Sequence, residues 1–208
     1  MIQAKYPISD NDMKVLLTKY PFLKHRKIYD DKGDVYETEQ ENLDNNWYKI
    51  WDGTGWENLW KNKYLPRLFE KYDTWSKDVQ EQFGFTDVKS KYGQMRIYTS
   101  SGSTDDLELI AEWISEYTCE ACGEEPRDSE GRRVIWSTPG WIMNMCRKCA
   151  GKYLVGNREN WSSNEIDKEL DGMKTTVTTR FGYLRTKNGK DVTTYFKETA
   201  DGWLEKEV

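Results

Sequence analysis

Histidine is almost missing from this chain of 208 residues, with His25 the single one. Imidazole commonly ligates catalytic zinc and acts as the base beside a Ser or Cys nucleophile. Its scarcity removes most zinc hydrolases, His-based nucleases and Ser-His or Cys-His mechanisms. Long apolar runs are missing as well. No stretch approaches the ~18 apolar residues of a membrane span. The opening MIQAKYPISDNDMKVLL has no basic start, apolar core or small-residue cleavage site. A cytoplasmic location is therefore expected, with no membrane partner. A surplus of positive charge is also lacking: the formal net charge is −5 and the pI about 5.2. That balance opposes non-specific attraction to nucleic acid or anionic lipid and leaves only a local basic patch for such a role. The sequence holds no G-x-S-x-G, no G-x-x-x-x-G-K-[ST], no H-E-x-x-H and no dinucleotide fingerprint. Asp and Glu are plentiful but scattered, so they locate no paired-carboxylate site.

What the chain does have is aromatic surface, including ten tryptophans. With 37% hydrophobic and 14% aromatic residues, it should fold around one sizeable core or two modest ones. Most tryptophans are expected in those cores. A few are expected on a contact surface, because Trp and Tyr anchor interfaces.

Periodicity places the elements. Residues 10–20 read as a helix capped by Ser9 or Asp10, with Met13, Leu16 and Leu17 on one face and Pro21 as its stop. The polar run around Gly33 reads as a loop with a short strand near Val35 and Tyr36. In GWENLWKNKYLPRLFEKYDTW, Trp56, Leu59, Trp60, Leu65, Leu68, Phe69 and Tyr72 share a helical face, and Pro66 should kink or split that helix. KYGQMRIYTS alternates as a strand, with Met95 and Ile97 on one side and Tyr92, Arg96 and Tyr98 on the other. A helix follows, capped by Ser103 or Thr104, with Leu107, Ile110, Ile114 and Tyr117 as its buried stripe. Later come a short helix over 164–173 and a Thr-rich, two-stranded antiparallel hairpin turning at Asn188-Gly189.

The cysteines form two C-x-x-C pairs, Cys119 with Cys122 and Cys146 with Cys149, separated by residues 123–145. In a reducing compartment such pairs read as metal ligands rather than disulfide partners. Zinc takes a tetrahedron of soft or borderline ligands, and each C-x-x-C turn supplies two thiolates at one edge. Gly123 sits where the first turn needs positive φ. RRVIW and GWIMNM read as strands joined by STPG, and CRKCAGKYLV as a helix starting at the second pair. The expectation is a treble-clef-like module holding one structural Zn2+. Four thiolates leave no coordination position for a reacting water, so no catalytic role is assigned to the ion.

Several motifs together are similar to a family. KYPFL, DGTGWENLW at 52–60, VKSKYGQMRIYTSSGSTDDLELI at 88–110, CEACGE at 119–124 and GWIMNMCRKCA at 140–150 resemble, in order, small uncharacterised proteins of tailed bacteriophages and prophages. Those proteins share a Tyr-Pro start, a G-x-G-W helix start, a KFGxLRFY-like strand, and C-x-x-C-G followed by G-W and a closing pair. The resemblance spans most of residues 19–150. Members often end the second pair in His where this chain has Cys149, which keeps a metal site and changes its ligand set. The resemblance implies expression in a bacterial host and an accessory protein that binds a host component.

The sequence-based expectation is thus an α+β fold. It comprises a mixed α/β region over 1–117, mainly helical with a strand, the zinc module over 118–156, and a C-terminal helix plus hairpin over 157–208. The expected function is non-enzymatic: binding a host macromolecule, foremost a bacterial protein, to inhibit or redirect it, including as counter-defence. The candidate contact residues are Trp136, Trp141, Tyr92, Arg96 and Tyr98, with Arg147 and Lys148 on the module's basic edge. One alternative is a DNA- or RNA-binding regulator using that edge, where Arg132, Arg133 and Lys152 also lie. The other is an enzyme with an unlocated carboxylate site.

Overall fold

A computed structural model describes residues 10–24, 27–29, 35–37, 51, 54–158, 160–177, 181–187 and 190–207. Ser9, His25 and the Asn188-Gly189 turn lie outside them. Helix α1 (Asp10–Lys19) ends before Pro21, which opens a 3-10 turn, Pro21–Lys24, that sends Phe22 and Leu23 into the core. Strands β1 (Lys27–Tyr29) and β2 (Val35–Glu37) pair antiparallel, so the short strand expected near Val35 has a partner that periodicity did not disclose.

The long amphipathic segment divides at Pro66, as a π-helical stretch, Leu59–Tyr64, running into α2 (Leu65–Asp73). A proline inside a regular α-helix removes one hydrogen bond and crowds the carbonyl four residues back. The wider π turn loosens that ladder, and Pro66 then falls in the first turn of the next segment, where its missing N–H costs nothing. Leu59, Trp60, Tyr64, Leu65 and Leu68 remain buried on one face, and Trp60 stacks on Tyr64 with ring centroids 5.3 Å apart.

After α3 (Lys77–Gln82), strands β3 (Phe85–Lys91) and β4 (Gln94–Thr99) form a hairpin. Met95 and Ile97 are buried as expected. Tyr92, however, sits in the two-residue turn rather than on the strand, with φ 56° there and 73° at Gly93. The 3-10 turn Gly102–Thr104 leads into α4 (Asp105–Glu116), and its cap is Ser101, whose side chain accepts from the Ser103 N–H. The Thr104 hydroxyl instead bonds Glu108, 2.6 Å away. Helix α4 covers the free edge of β4, where the Met95 N–H donates to Ser115 Oγ at 2.8 Å.

The cysteine region contributes β5 (Val134–Ser137), β6 (Asn144–Met145) and α5 (Arg147–Asn157). Helix α6 (Ser163–Met173), held by a Ser162–Glu165 capping box, precedes β7 (Lys174–Thr176), which pairs with the other side of β5. The expected C-terminal hairpin is β8 (Phe181–Lys187) with β9 (Lys190–Glu198), and β10 (Leu204–Lys206) adds a third antiparallel strand. The fold is α+β, with a helical N-terminal half, the four cysteines in the middle and a C-terminal hairpin.

Two apolar clusters result. The larger gathers Trp51, Trp56, Trp60, Tyr64 and the β3–β4 side chains, with Phe196, Trp203 and Leu204 from the tail. The smaller surrounds Cys119 and Cys146 with Trp136, Met145, Leu154, Leu170 and Met173. The stretch after residue 157 is thus shared between both. Buried Arg133, just before β5, packs on the larger one: its guanidinium lies 3.7 Å from the Tyr117 ring centroid and 2.5 Å from a Glu198 oxygen. Among the described residues no helix is long and apolar enough to cross a membrane.

Along α4, Glu108, Glu112 and Glu116 meet Thr99, Arg96 and Gln94 of β4. Burial raises all three carboxyl groups above their ordinary range, opposed by these partners. Carboxyl groups raised by folding bind protons more readily in the folded chain. Their contribution is complete at low pH and is lost as pH rises through the folded values. Glu108→Gln removes the most buried of these titrations and keeps an acceptor for Thr99 and Thr104. Its urea midpoint relative to wild type should therefore rise between about pH 5 and pH 8; parallel midpoints would contradict this reading.

Candidate metal centre

The first cysteine pair occupies a knuckle made by the backbone. The Gly123 N–H donates to the Cys119 carbonyl at 2.8 Å, and the Cys119 N–H to the Glu124 carbonyl at 2.8 Å. Gly123 has φ 79°, the left-handed value that the sequence position called for. Strand β6 delivers the second pair, with Cys146 as the extended N-cap residue of α5 and Cys149 in that helix's first turn. The four side chains meet: all four Sγ atoms lie within 4.8 Å of one another.

The separation of Cys122 Sγ from Cys146 Sγ is 3.7 Å. A tetrahedron with metal–sulfur bonds of about 2.3 Å has edges of about 3.8 Å, whereas a disulfide would bring the sulfurs to about 2.05 Å. All four cysteines are free thiols. The arrangement is therefore that of a tetrathiolate metal site.

Burial disfavours bare thiolates at two of these cysteines. Burial pushes the Cys119 thiol up to about 11, against N–H groups of Cys146, Ala121 and Cys122 that favour its thiolate. Burial drives Cys146 higher still. At Cys122 burial acts upward too, but the Glu124 N–H and the neighbouring cysteines bring it below its ordinary value. Four thiolates can coexist in this volume when a cation offsets their repulsion and desolvation, and the aimed N–H groups share that task. An all-sulfur tetrahedral donor set suits zinc or iron.

The knuckle also anchors its neighbours. The Gly55 N–H donates to the Glu120 carbonyl at 2.7 Å, and Trp56 Nε1 to the Thr118 carbonyl at 3.1 Å. A Cβ on Gly55 would stand 1.9 Å from the Cys119 oxygen and 2.3 Å from the Gly123 nitrogen, which explains the second glycine of G-x-G-W. On the other side the Glu120 N–H donates to the Asn144 carbonyl at 2.8 Å. Asn144 Nδ2 reaches the Gly93 and Glu116 carbonyls, each at 3.0 Å, while its Oδ1 accepts from Ser137 Oγ at 2.7 Å. Burial lifts the Glu120 carboxyl to about 7, with Ser90 Oγ donating to it at 3.1 Å.

No protein-family model, curated protein or solved structure matches this chain. Function is therefore read from what the centre positions.

Of the sequence-derived contact residues, two come together. Trp141 is 68% exposed and Tyr92 64%, and with Ser90, Lys91, Gly140 and Ile142 they line a groove of about 220 Å³. Trp136 is a core residue beside the centre, 7% exposed. Arg96 is bound to Glu112 at 2.6 Å, and Tyr98, under the Lys89 ammonium, does not line the groove. The arginines of the module's basic edge are paired with acids, some of the module and some of the stretch after it. Arg147 pairs with Asp167 and Asp171, Arg132 with Asp128 and Glu130, and Arg133 with Glu198. Lys148 lines a shallow depression of about 570 Å³ with Trp136 and Arg127. Sequence reasoning missed Asn144 and Ile142. A lone Asn between two apolar methionines in a strand was the available signal for the first.

Gly55→Ala should cost on the order of 3 kcal/mol, because the methyl meets backbone rather than a movable side chain. Gly151→Ala in α5, whose Cβ would meet only Leu170 Cδ1 at 3.7 Å, should instead stabilise by about 0.5–1 kcal/mol. Urea unfolding of both variants checks the contrast, and equal effects would contradict the close approach.

Proposed function

We propose that this chain is a zinc-stabilised, non-enzymatic accessory protein of phage type that binds a host macromolecule, a bacterial protein, and inhibits or redirects it. The carrying observation is that a closed four-thiol site supports an exposed aromatic pair, Tyr92 and Trp141, rather than an open coordination position. One zinc per chain is the reading of the metal. It fits the thiol count, the 3.7 Å sulfur separation and a ligand set without imidazole. Zinc here supplies folding free energy: structural sites of this kind contribute an apparent ~10–16 kcal/mol of binding free energy, comparable to the ~5–15 kcal/mol net stability of a domain.

The phage origin rests on the ordered motifs of residues 19–150, two of which have a physical role in the fold. Gly55 and Trp56 of G-x-G-W seat the helix start on the knuckle, and the Tyr-Gly turn presents an aromatic side chain. Binding of protein rather than nucleic acid is supported by the acid-paired arginines of the module and the net charge of −5.

Metal analysis of the purified chain should find about one zinc, and strong chelation should abolish its near-ultraviolet tryptophan dichroism. A metal-free chain with an unchanged spectrum would remove the structural role. For the binding role, immobilised chain is expected to retain a bacterial protein from lysate at near-equal molar amount. Labelled DNA and RNA should stay unbound at both low and high salt. Nucleic-acid binding that weakens steeply with salt would favour the regulator instead.

A further inference from the structure

The groove between the β3–β4 turn and the loop 138–143 carries a more specific reading, which rests on the protein-binding function above. We propose that it receives an acidic peptide segment of the partner, anchored by one apolar side chain. Trp141, Tyr92 and Ile142 are exposed by 68%, 64% and 38%, in a chain that buries Trp51, Trp56 and Trp60 almost completely. Adjacent exposed aromatics rimmed by polar groups mark a contact site. The volume, about 220 Å³, falls below the ~300–1,000 Å³ of small-molecule pockets and suits a single side chain.

The backbone at Tyr92 supports this assignment independently. Among the described residues Tyr92 is the one non-glycine with positive φ, at 56°. Turns of this geometry favour Gly, Asn or Asp, and a bulky residue is strained there. Fold stability alone does not call for tyrosine at that position; an exposed ring at the hairpin tip does.

Both walls are braced before any partner arrives. Thr138 Oγ1 donates to the Trp141 carbonyl at 2.7 Å and accepts from the Met143 N–H at 2.9 Å, while Asn144 holds the Gly93 carbonyl at 3.0 Å. Such bracing lowers the ordering cost of association.

Charge selects the flanking chemistry. Lys91 is the charged residue of the groove lining. Its ammonium lies 5.2 Å from the Tyr92 ring centroid, and no carboxylate ion-pairs with it among the described residues. Neighbouring Lys89 is bound to Asp87 and Arg96 to Glu112. One available ammonium beside an apolar slot matches a carboxylate next to an apolar anchor. A nucleic-acid strand would require a row of such cations.

The test is selection of displayed random 12-residue peptides on zinc-loaded, full-length chain. Wild type should enrich peptides pairing an aromatic or aliphatic residue with adjacent Asp or Glu. Trp141→Ala should weaken the best peptide at least about tenfold. Lys91→Glu should turn the flanking preference from acidic to basic. Tyr92→Gly should hold or raise the unfolding temperature, since glycine takes this φ freely, and still weaken the peptide. Zinc content confirms folding of each variant. No enrichment, affinity indifferent to Trp141, an acidic preference surviving Lys91→Glu, or displacement of the peptide by a single-stranded oligonucleotide would each overturn the proposal. The broader reading is separable: a lysate protein still retained by Trp141→Ala and Lys91→Glu chains removes the groove and leaves protein binding standing. Wild type retaining nothing removes protein binding itself.

Discussion

Four sulfurs gathered within 4.8 Å make a site that is costly as bare thiolates and self-consistent around a divalent cation. Much of the described structure is arranged against that knot. The Cys119–Cys122 knuckle offers its backbone on two sides. One side takes the Gly55–Trp56 helix start, and with it the π-helical segment and the larger aromatic core. The other takes the Asn144 backbone, and through its side chain the β3–β4 turn and the end of α4. A single cysteine-bearing turn therefore joins parts of the chain that are far apart in sequence.

The same arrangement gives the surface its character. The loop 138–143 runs between β5 and β6, and Cys146 follows directly on β6, so Trp141 is presented from a frame that the cysteine cluster closes. Tyr92 reaches the same groove from the β3–β4 hairpin, fixed there by the Asn144 contact to Gly93. Removing metal should therefore disturb the groove although no metal ligand lines it. The cysteine cluster and the groove thus form a connected system, joined through β6 and the Asn144 side chain.

Much of this was legible in residue types and spacing. Paired C-x-x-C turns, the Gly123 requirement, the α4 stripe, the 164–173 helix and the Thr-rich hairpin all follow from local patterns, and each is present. Strand β3 escaped because a bulge between Phe85 and Asp87 breaks its alternation, leaving FTDVKSK without a period of two. Strand β10 is three residues long and exists through its pairing with β9, which no local signal encodes. Burial of individual tryptophans was not legible either. Trp136 and Trp141 stand five positions apart in one module, and only the pairing of β5 with β6 sends the first into the core and leaves the second on the loop. Gly55 and Asn144 act at long range, so their sequence neighbours could show that something was required of them and not what.

Amide hydrogen exchange, followed with metal bound and after its removal, tests the organising role of the knuckle most directly. If four thiolates around one ion hold these parts together, removal will release protection at Gly55, Glu120, Thr138 and Met143, the amides whose acceptors lie across the knuckle or within the loop it supports. Protection at those four amides that persists unchanged without metal would contradict the account.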